Sequence, residues 1–187
     1  MKKICVLFPG MGYTTQKPLL YYSGKLALSK DYELVQITYD NMPPKVIRNP
    51  EVMRQAYEAA LDSAKRQLAD IRWDEYSDIL IVGKSVGTAV AASFADTYIF
   101  SKGLNAKLVY LTPVAETYKF VKESVGIAFH GNDDPWADTD EMIRLSEQNQ
   151  IPLHIYEGAN HSLETGDVET DLRTLQDVME YIASYIL

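Results

Sequence analysis

Hydrophobic positions along the chain fall into two kinds of segment that alternate. Short aliphatic runs without strong polar alternation predict strands buried on both faces: Lys3–Phe8, Leu34–Thr38, Ile79–Val82, Lys107–Leu111, Val125–Phe129 and Leu153–Tyr156. Between them, apolar residues recur at helical spacing. Asn49-Pro50-Glu51 is a helix start, with Asn as cap and Pro in the first turn, and Met53, Tyr57, Ala60, Leu61, Ala64 and Leu68 follow on one face. Asp138 and Glu141 make a capping-box-like pair ahead of Met142 and Leu145. The last helix carries an apolar stripe of Leu172, Leu175, Val178, Met179, Ile182 and Ile186. This β-α-β-α order predicts an α/β protein: a mostly parallel six-stranded sheet with helices on both faces. With no repeat, low-complexity tract or long linker, residues 1–187 are expected to form a single domain.

Composition narrows the class. Hydrophobic residues at 47% and charged residues at 24% exclude disorder, a collagen-like repeat and a disulfide scaffold. A net charge of −8 and a pI near 4.9 argue against nucleic acid and anionic membranes as partners. The charge is uneven: residues 1–65 are net +3, and residues 121–187 are net −11. Cys5, the single cysteine, sits in a strand-like run and has no partner for an internal disulfide. The apolar run after Met1-Lys2-Lys3 stops at Pro9-Gly10, too short for an export signal, and no stretch approaches the ~20 apolar residues of a membrane span. A cytoplasmic location is expected.

In parallel sheets, ligands bind outside the carboxyl ends of the strands, so polar residues just after a strand carry the most weight. Three such loops stand out. Gly83-Lys84-Ser85-Val86-Gly87 follows the strand Ile79–Val82 and precedes a helix-like segment, the strand–turn–helix context of a nucleophile elbow. A serine there faces the pocket at a helix N-terminus, whose dipole favours developing negative charge. The bland alternative is a turn with an idle serine. His130-Gly131-Asn132-Asp133-Asp134-Pro135 offers carboxylates that could orient a histidine, or is simply a turn rich in Asn, Asp and Pro. Glu157-Gly158-Ala159-Asn160-His161-Ser162 places a histidine in a small-residue loop at the sheet edge, either as a base or as a surface residue. His130 and His154, at a strand end and within a strand, read as structural. A phosphate loop is absent, because Asp78 stands where the first glycine of that motif belongs. A dinucleotide loop at Pro9-Gly10-Met11-Gly12 lacks its third glycine, replaced by Thr15.

Taken in order, Ser85, Asp134 and His161 follow the chain order of α/β-hydrolase triads. With Phe8-Pro9-Gly10-Met11-Gly12 as a fourth matching piece, the sequence resembles the α/β-hydrolase family, and Gly158-Ala159-Asn160-His161-Ser162 looks like its small, lidless bacterial members. The resemblance implies a minimal α/β-hydrolase fold beginning at the family's third strand, and a serine hydrolase without cofactor or metal. Ser85 would be the nucleophile, His161 the base and then acid, and Asp134 the orienting acid, preferred to Asp133 because it directly precedes Pro135. The oxyanion hole would use the backbone N–H groups of Val86 and Met11, although Pro9-Gly10 replaces the family's usual His-Gly.

The implied substrate is a small acyl compound, with a carboxylic ester favoured. An acyl thioester, an amide, or a catalytically silent binding module are the alternatives. Only Thr112–Ser124 separates the fourth and fifth strands, leaving little or no lid and a shallow pocket that Tyr13, Val114, Tyr118 and Trp136 could line. The acidic last third would favour protonated His161 and discourage strongly anionic substrates, a tilt toward neutral esters. No pattern in the sequence specifies an oligomeric state.

Overall fold

The computed structural model describes residues 2–47 and 49–187. Its strands are β1 (Lys2–Phe8), β2 (Tyr32–Gln36), β3 (Tyr76–Lys84), β4 (Lys107–Leu111), β5 (Ile127–Gly131) and β6 (Leu153–Tyr156). Its helices are α1 (Pro18–Leu28), α2 (Pro50–Gln67), α3 (Val86–Tyr98), α4 (Thr139–Gln148) and α5 (Val168–Tyr185). All six strands form one parallel sheet in the order β2-β1-β3-β4-β5-β6.

Alternation along each strand divides the core into two layers, because successive side chains point to opposite faces. Ile4, Val6, Phe8, Ile79, Ile81, Leu108 and Tyr110 pack with Ala60 and Ala64 of α2 and Val90, Phe94 and Ala95 of α3. Cys5, Leu7, Leu80, Val82, Val109, Leu111 and Phe129 face the other way, onto Leu20 and Ala27 of α1 and Val178 and Ile182 of α5.

Local chemistry starts the helices where the sequence predicts. The Asn49 side chain accepts from the Val52 amide and Asp138 accepts from Glu141; a third cap, which the sequence reading did not name, is Asp167, accepting from Thr170. Several readings shift, among them the third strand, which runs from Tyr76 to Lys84 rather than over Ile79–Val82 alone. The second strand begins earlier, at Tyr32, because its pairing runs from Lys3↔Tyr32 to Leu7↔Gln36. The fifth begins at Ile127 and carries His130 and Gly131 into the sheet, paired with Ile155 and Tyr156. In α5 the stripe is buried at Val178 and Ile182, whereas Leu172 lies outside the contact with the sheet and is 61% exposed.

The β4–β5 connection is short and contains one 3-10 turn, Ala115–Lys119, packed on α3 and α4. No lid is built from it. No described helix is long and apolar enough to cross a membrane.

Candidate active site

The loops at the carboxyl ends of β1, β3, β5 and β6 converge on Ser85. β3 ends at Lys84 and α3 begins at Val86, so the chain reverses within one residue. Ser85 takes up φ 57°, ψ −128°, a conformation that L-residues rarely adopt and that the surroundings must hold. Its amide donates to the Leu111 carbonyl at 3.0 Å, and its carbonyl accepts from the Thr88 amide and hydroxyl at 2.8 and 2.6 Å.

The flanking glycines are demanded by close approach rather than by φ. A Cβ on Gly83 would lie 2.6 Å from the Gly87 carbonyl oxygen, and one on Gly87 would collide with the carbonyl oxygens of Phe8 and Pro9. Gly87 thus lets the end of β1 sit against the start of α3, bringing the Gly10-Met11 loop beside Ser85.

The Asp134 and His161 loops are tied together independently. The Asn132 side chain accepts from the Gly158 amide at 2.6 Å, and the Asp133 amide donates to the Ala159 carbonyl at 3.0 Å. Asn160 braces its own turn, accepting from the Ser162 and Glu164 amides.

These restraints give a continuous chain of hydrogen bonds. His161 Nε2 lies 2.7 Å from Ser85 Oγ, and His161 Nδ1 lies 2.6 Å from Asp134 Oδ2. The other Asp134 oxygen accepts from the Trp136 amide at 2.8 Å, and the carboxylate is fully buried. Asp133 is exposed and points no group at His161 within hydrogen-bond distance. His130 lies on the far side of Asp134, its Nδ1 4.0 Å from Asp134 Oδ2 and its Nε2 2.9 Å from the Thr139 hydroxyl. His154 stacks between Phe129 and Tyr181, a packing role.

Met11, in the loop after β1, and Val86, the residue after Ser85, are both buried and pack in one cluster with Ala56. Among the described residues, neither backbone amide has a hydrogen-bond acceptor. Two unpaired donors beside a serine are what a developing oxyanion requires.

A cavity of about 120 Å³ opens over Ser85, lined by Met11, Gly12, Tyr13, Lys17, Lys45, Lys84, Trp136, His161 and Ser162. Tyr13 and Trp136 therefore line it. Val114 lies instead in a neighbouring cavity of about 280 Å³ that shares Trp136 and also includes Met53, Glu116 and Asp138. Tyr118 lines neither; it is buried, and its hydroxyl bonds to Ser146 at 2.5 Å, a packing contact between the 3-10 turn and α4.

The sequence reading passed over Lys84, although it lies inside the elbow. Its side chain is fully buried, with Nζ 2.5 Å from the Thr112 hydroxyl, 2.7 Å from the His161 carbonyl oxygen and 4.7 Å from the centre of the Tyr13 ring. Burial pulls its pKa down to about 7, against the raising influence of Asp134, while Lys45 and Lys17 lower it further. The available signal was a lysine between a buried strand and a serine turn.

His161 is depressed as well, to about 4. Desolvation is the main cause and Lys84 the next, outweighing the hydrogen bond to Asp134 that acts the other way. The expectation that the acidic last third would favour protonated His161 is therefore reversed. Burial of the ring and the nearby Lys84 outweigh Asp134, so the summed charge of the chain segment does not predict the state of His161.

A parallel sheet with a serine turn after its third strand defines the α/β-hydrolase fold, and solved structures agree. No protein-family model matches this sequence, and no curated protein matches it. The chain is similar to Est1E from Butyrivibrio proteoclasticus, solved with ferulic acid bound, at TM-score 0.70 and 12% identity over 98% of this chain and 89% of the other. It is similar to the esterase Pf2001 from Pyrococcus furiosus at TM-score 0.67 and 13% identity, over 100% and 84%. A serine hydrolase without a lid, XC6422 from Xanthomonas campestris, matches at TM-score 0.61 and 11% identity, over 98% and 80%. At these identities the likeness is one of fold.

Proposed function

We propose that this protein is a serine hydrolase that cleaves small carboxylic esters through an acyl-enzyme on Ser85. The observation that carries the reading is the unbroken Ser85–His161–Asp134 hydrogen-bond chain, at 2.7 and 2.6 Å. His161, neutral above about pH 4, accepts the Ser85 proton as Oγ attacks the ester carbonyl. The Val86 and Met11 amides bind the oxyanion, and Asp134 holds the ring with Nε2 toward the serine and stabilises the imidazolium as it forms. His161 then passes its proton to the departing alcohol, and water repeats the sequence to release the acid. The esterase activity of proteins with the same fold supports an ester over a thioester or amide, and the small cavity over Ser85 supports a small group next to the carbonyl.

The test is labelling by a fluorophosphonate probe together with turnover of short p-nitrophenyl esters. Both should be lost in Ser85→Ala. A wild-type protein that neither labels nor turns over any ester would instead be a silent module on a hydrolase fold.

A further inference from the structure

Three ammonium groups meet at the cavity over Ser85. Lys17 stands directly before α1, Lys45 comes from the connection between β2 and α2, and Lys84 closes β3; all three line the same space of about 120 Å³. Lys45 lies across Gly12, where a Cβ would be 2.8 Å from its Nζ, so the missing side chain at position 12 gives the ammonium its place at the lip. Lys17 reaches back over the Tyr13 ring, at 5.3 Å. Lys84 spends its donors on Thr112 and the His161 carbonyl.

Their charge is not neutralised within the protein. Among the described residues, neither Lys17 nor Lys45 forms an ion pair, in a chain of net charge −8. Of the carboxylates that bear on the site, Asp134 is committed to His161, and Glu164 acts on Lys84 and Tyr13 at a distance without pairing with a lysine. Like charges gathered around a small cavity repel one another, and each lowers the pKa of Lys84. An anion in the cavity would relieve that repulsion.

Building on the hydrolase reading, we propose that the cavity over Ser85 is a subsite for a carboxylate, held by Lys17 and Lys45, and that the substrate is an acidic ester such as the half-ester of a short dicarboxylic acid. The cavity is too small for a bulky polyanion, and its two accessible cations are point charges on flexible stems rather than an arginine fork. Lys84, with its donors committed to Thr112 and the His161 carbonyl, is not a contact for the anion. A charged substrate would then be drawn to Ser85 despite the negative net charge of the whole molecule.

The test separates the subsite from the catalysis by using Ser85→Ala, which binds without turnover. The variant is titrated with monomethyl succinate and with dimethyl succinate, and fluorescence of Trp136, which lines the cavity, reports binding. The anion is expected to bind about tenfold more tightly than the neutral diester, with the advantage shrinking as salt is added. Adding Lys17→Met and Lys45→Met should bring the two affinities together, and arginine at both positions should restore the preference. Equal affinity for the two esters, or binding of neither, overturns the subsite. Fluorophosphonate labelling of the wild type reads the hydrolase proposal separately. Labelling without charge preference leaves an esterase with no anion subsite; charge preference without labelling or turnover leaves an anion site on a protein that is not a hydrolase.

Discussion

The ammonium of Lys84 lies 2.7 Å from the backbone carbonyl of His161, so the residue before the candidate nucleophile holds the main chain of the candidate base. The same ammonium bonds to Thr112, joining β3, β4 and the His161 loop at one buried point. Position 84 thereby couples the stability of the fold to the basicity of His161.

Replacing Lys84 tests both sides of that coupling. Its pKa is about 7 in the folded protein against about 10.5 unfolded, so the unfolded state binds more protons between those values and stability rises with pH across that window. The destabilisation is complete below pH 7 and fades toward pH 10.5. In Lys84→Met the Thr112 hydroxyl can still donate to the His161 carbonyl, 3.1 Å away, so no buried group is orphaned. We expect Lys84→Met to be more stable by roughly 1–3 kcal/mol near pH 7. Its stability should lose the rise between pH 7 and 10.5, as read by denaturant unfolding at several pH values.

The pH profile of ester hydrolysis reports His161. With its folded pKa near 4, the imidazole is neutral and able to accept a proton through the weakly acidic range, so kcat/KM should stay flat down to about pH 5 and fall to half near pH 4. A midpoint near 6.5 would mean that burial and Lys84 do not act on the ring as described. In Lys84→Met one of the influences lowering the pKa is gone, and the midpoint should move upward.

The two aspartates of the β5 loop should separate cleanly. Asp134→Asn removes the acceptor for His161 Nδ1 and is expected to lower kcat by about 10³–10⁴-fold, with little change in KM. Asp133→Asn keeps the backbone bond to Ala159 and alters a side chain with no hydrogen bond or ion pair among the described residues, so activity should stay within about twofold. Steady-state kinetics on one ester, with circular dichroism and a thermal melt as checks on folding, decides it.

Gly87→Ala places a methyl group against the carbonyls of Phe8 and Pro9 and must push the Met11 loop away from the start of α3. The expected cost is about 1–3 kcal/mol of stability. If Met11 contributes to the oxyanion site, kcat should also fall by about 10²–10³-fold in the fraction that remains folded. Thermal melts and kinetics on the same preparation separate the two effects.

Much of the frame was legible in one dimension. Buried strands declare themselves through unbroken runs such as Ile79–Val82, and the caps at Asn49 and Asp138 act on amides only three residues away. The elbow was legible for the same reason: the tight turn needs Gly83 and Gly87 within two positions of Ser85. Asp134 and His161 were named through the resemblance to the α/β-hydrolase family, and their loops do follow adjacent strands, β5 and β6. Tyr118, by contrast, lay near the site in sequence but packs away from it, on Ser146.

The electrostatics of the site were not legible. Charge summed along the sequence puts −11 in the segment carrying Asp134 and His161, whereas interaction energy falls with distance in space. Lys17 and Lys45 come from the basic first third, and Lys84 is buried by contacts with Thr112 and His161 that lie 28 and 77 residues away. The sequence by itself determined the order of strands and helices, because periodicity, caps and tight turns are local, and its resemblance to the α/β-hydrolase family nominated the candidate triad. Only the tertiary structure decided the state of His161, because its lowered pKa depends on how far the fold excludes water and on bringing Lys84, 77 residues away in the chain, close to the ring.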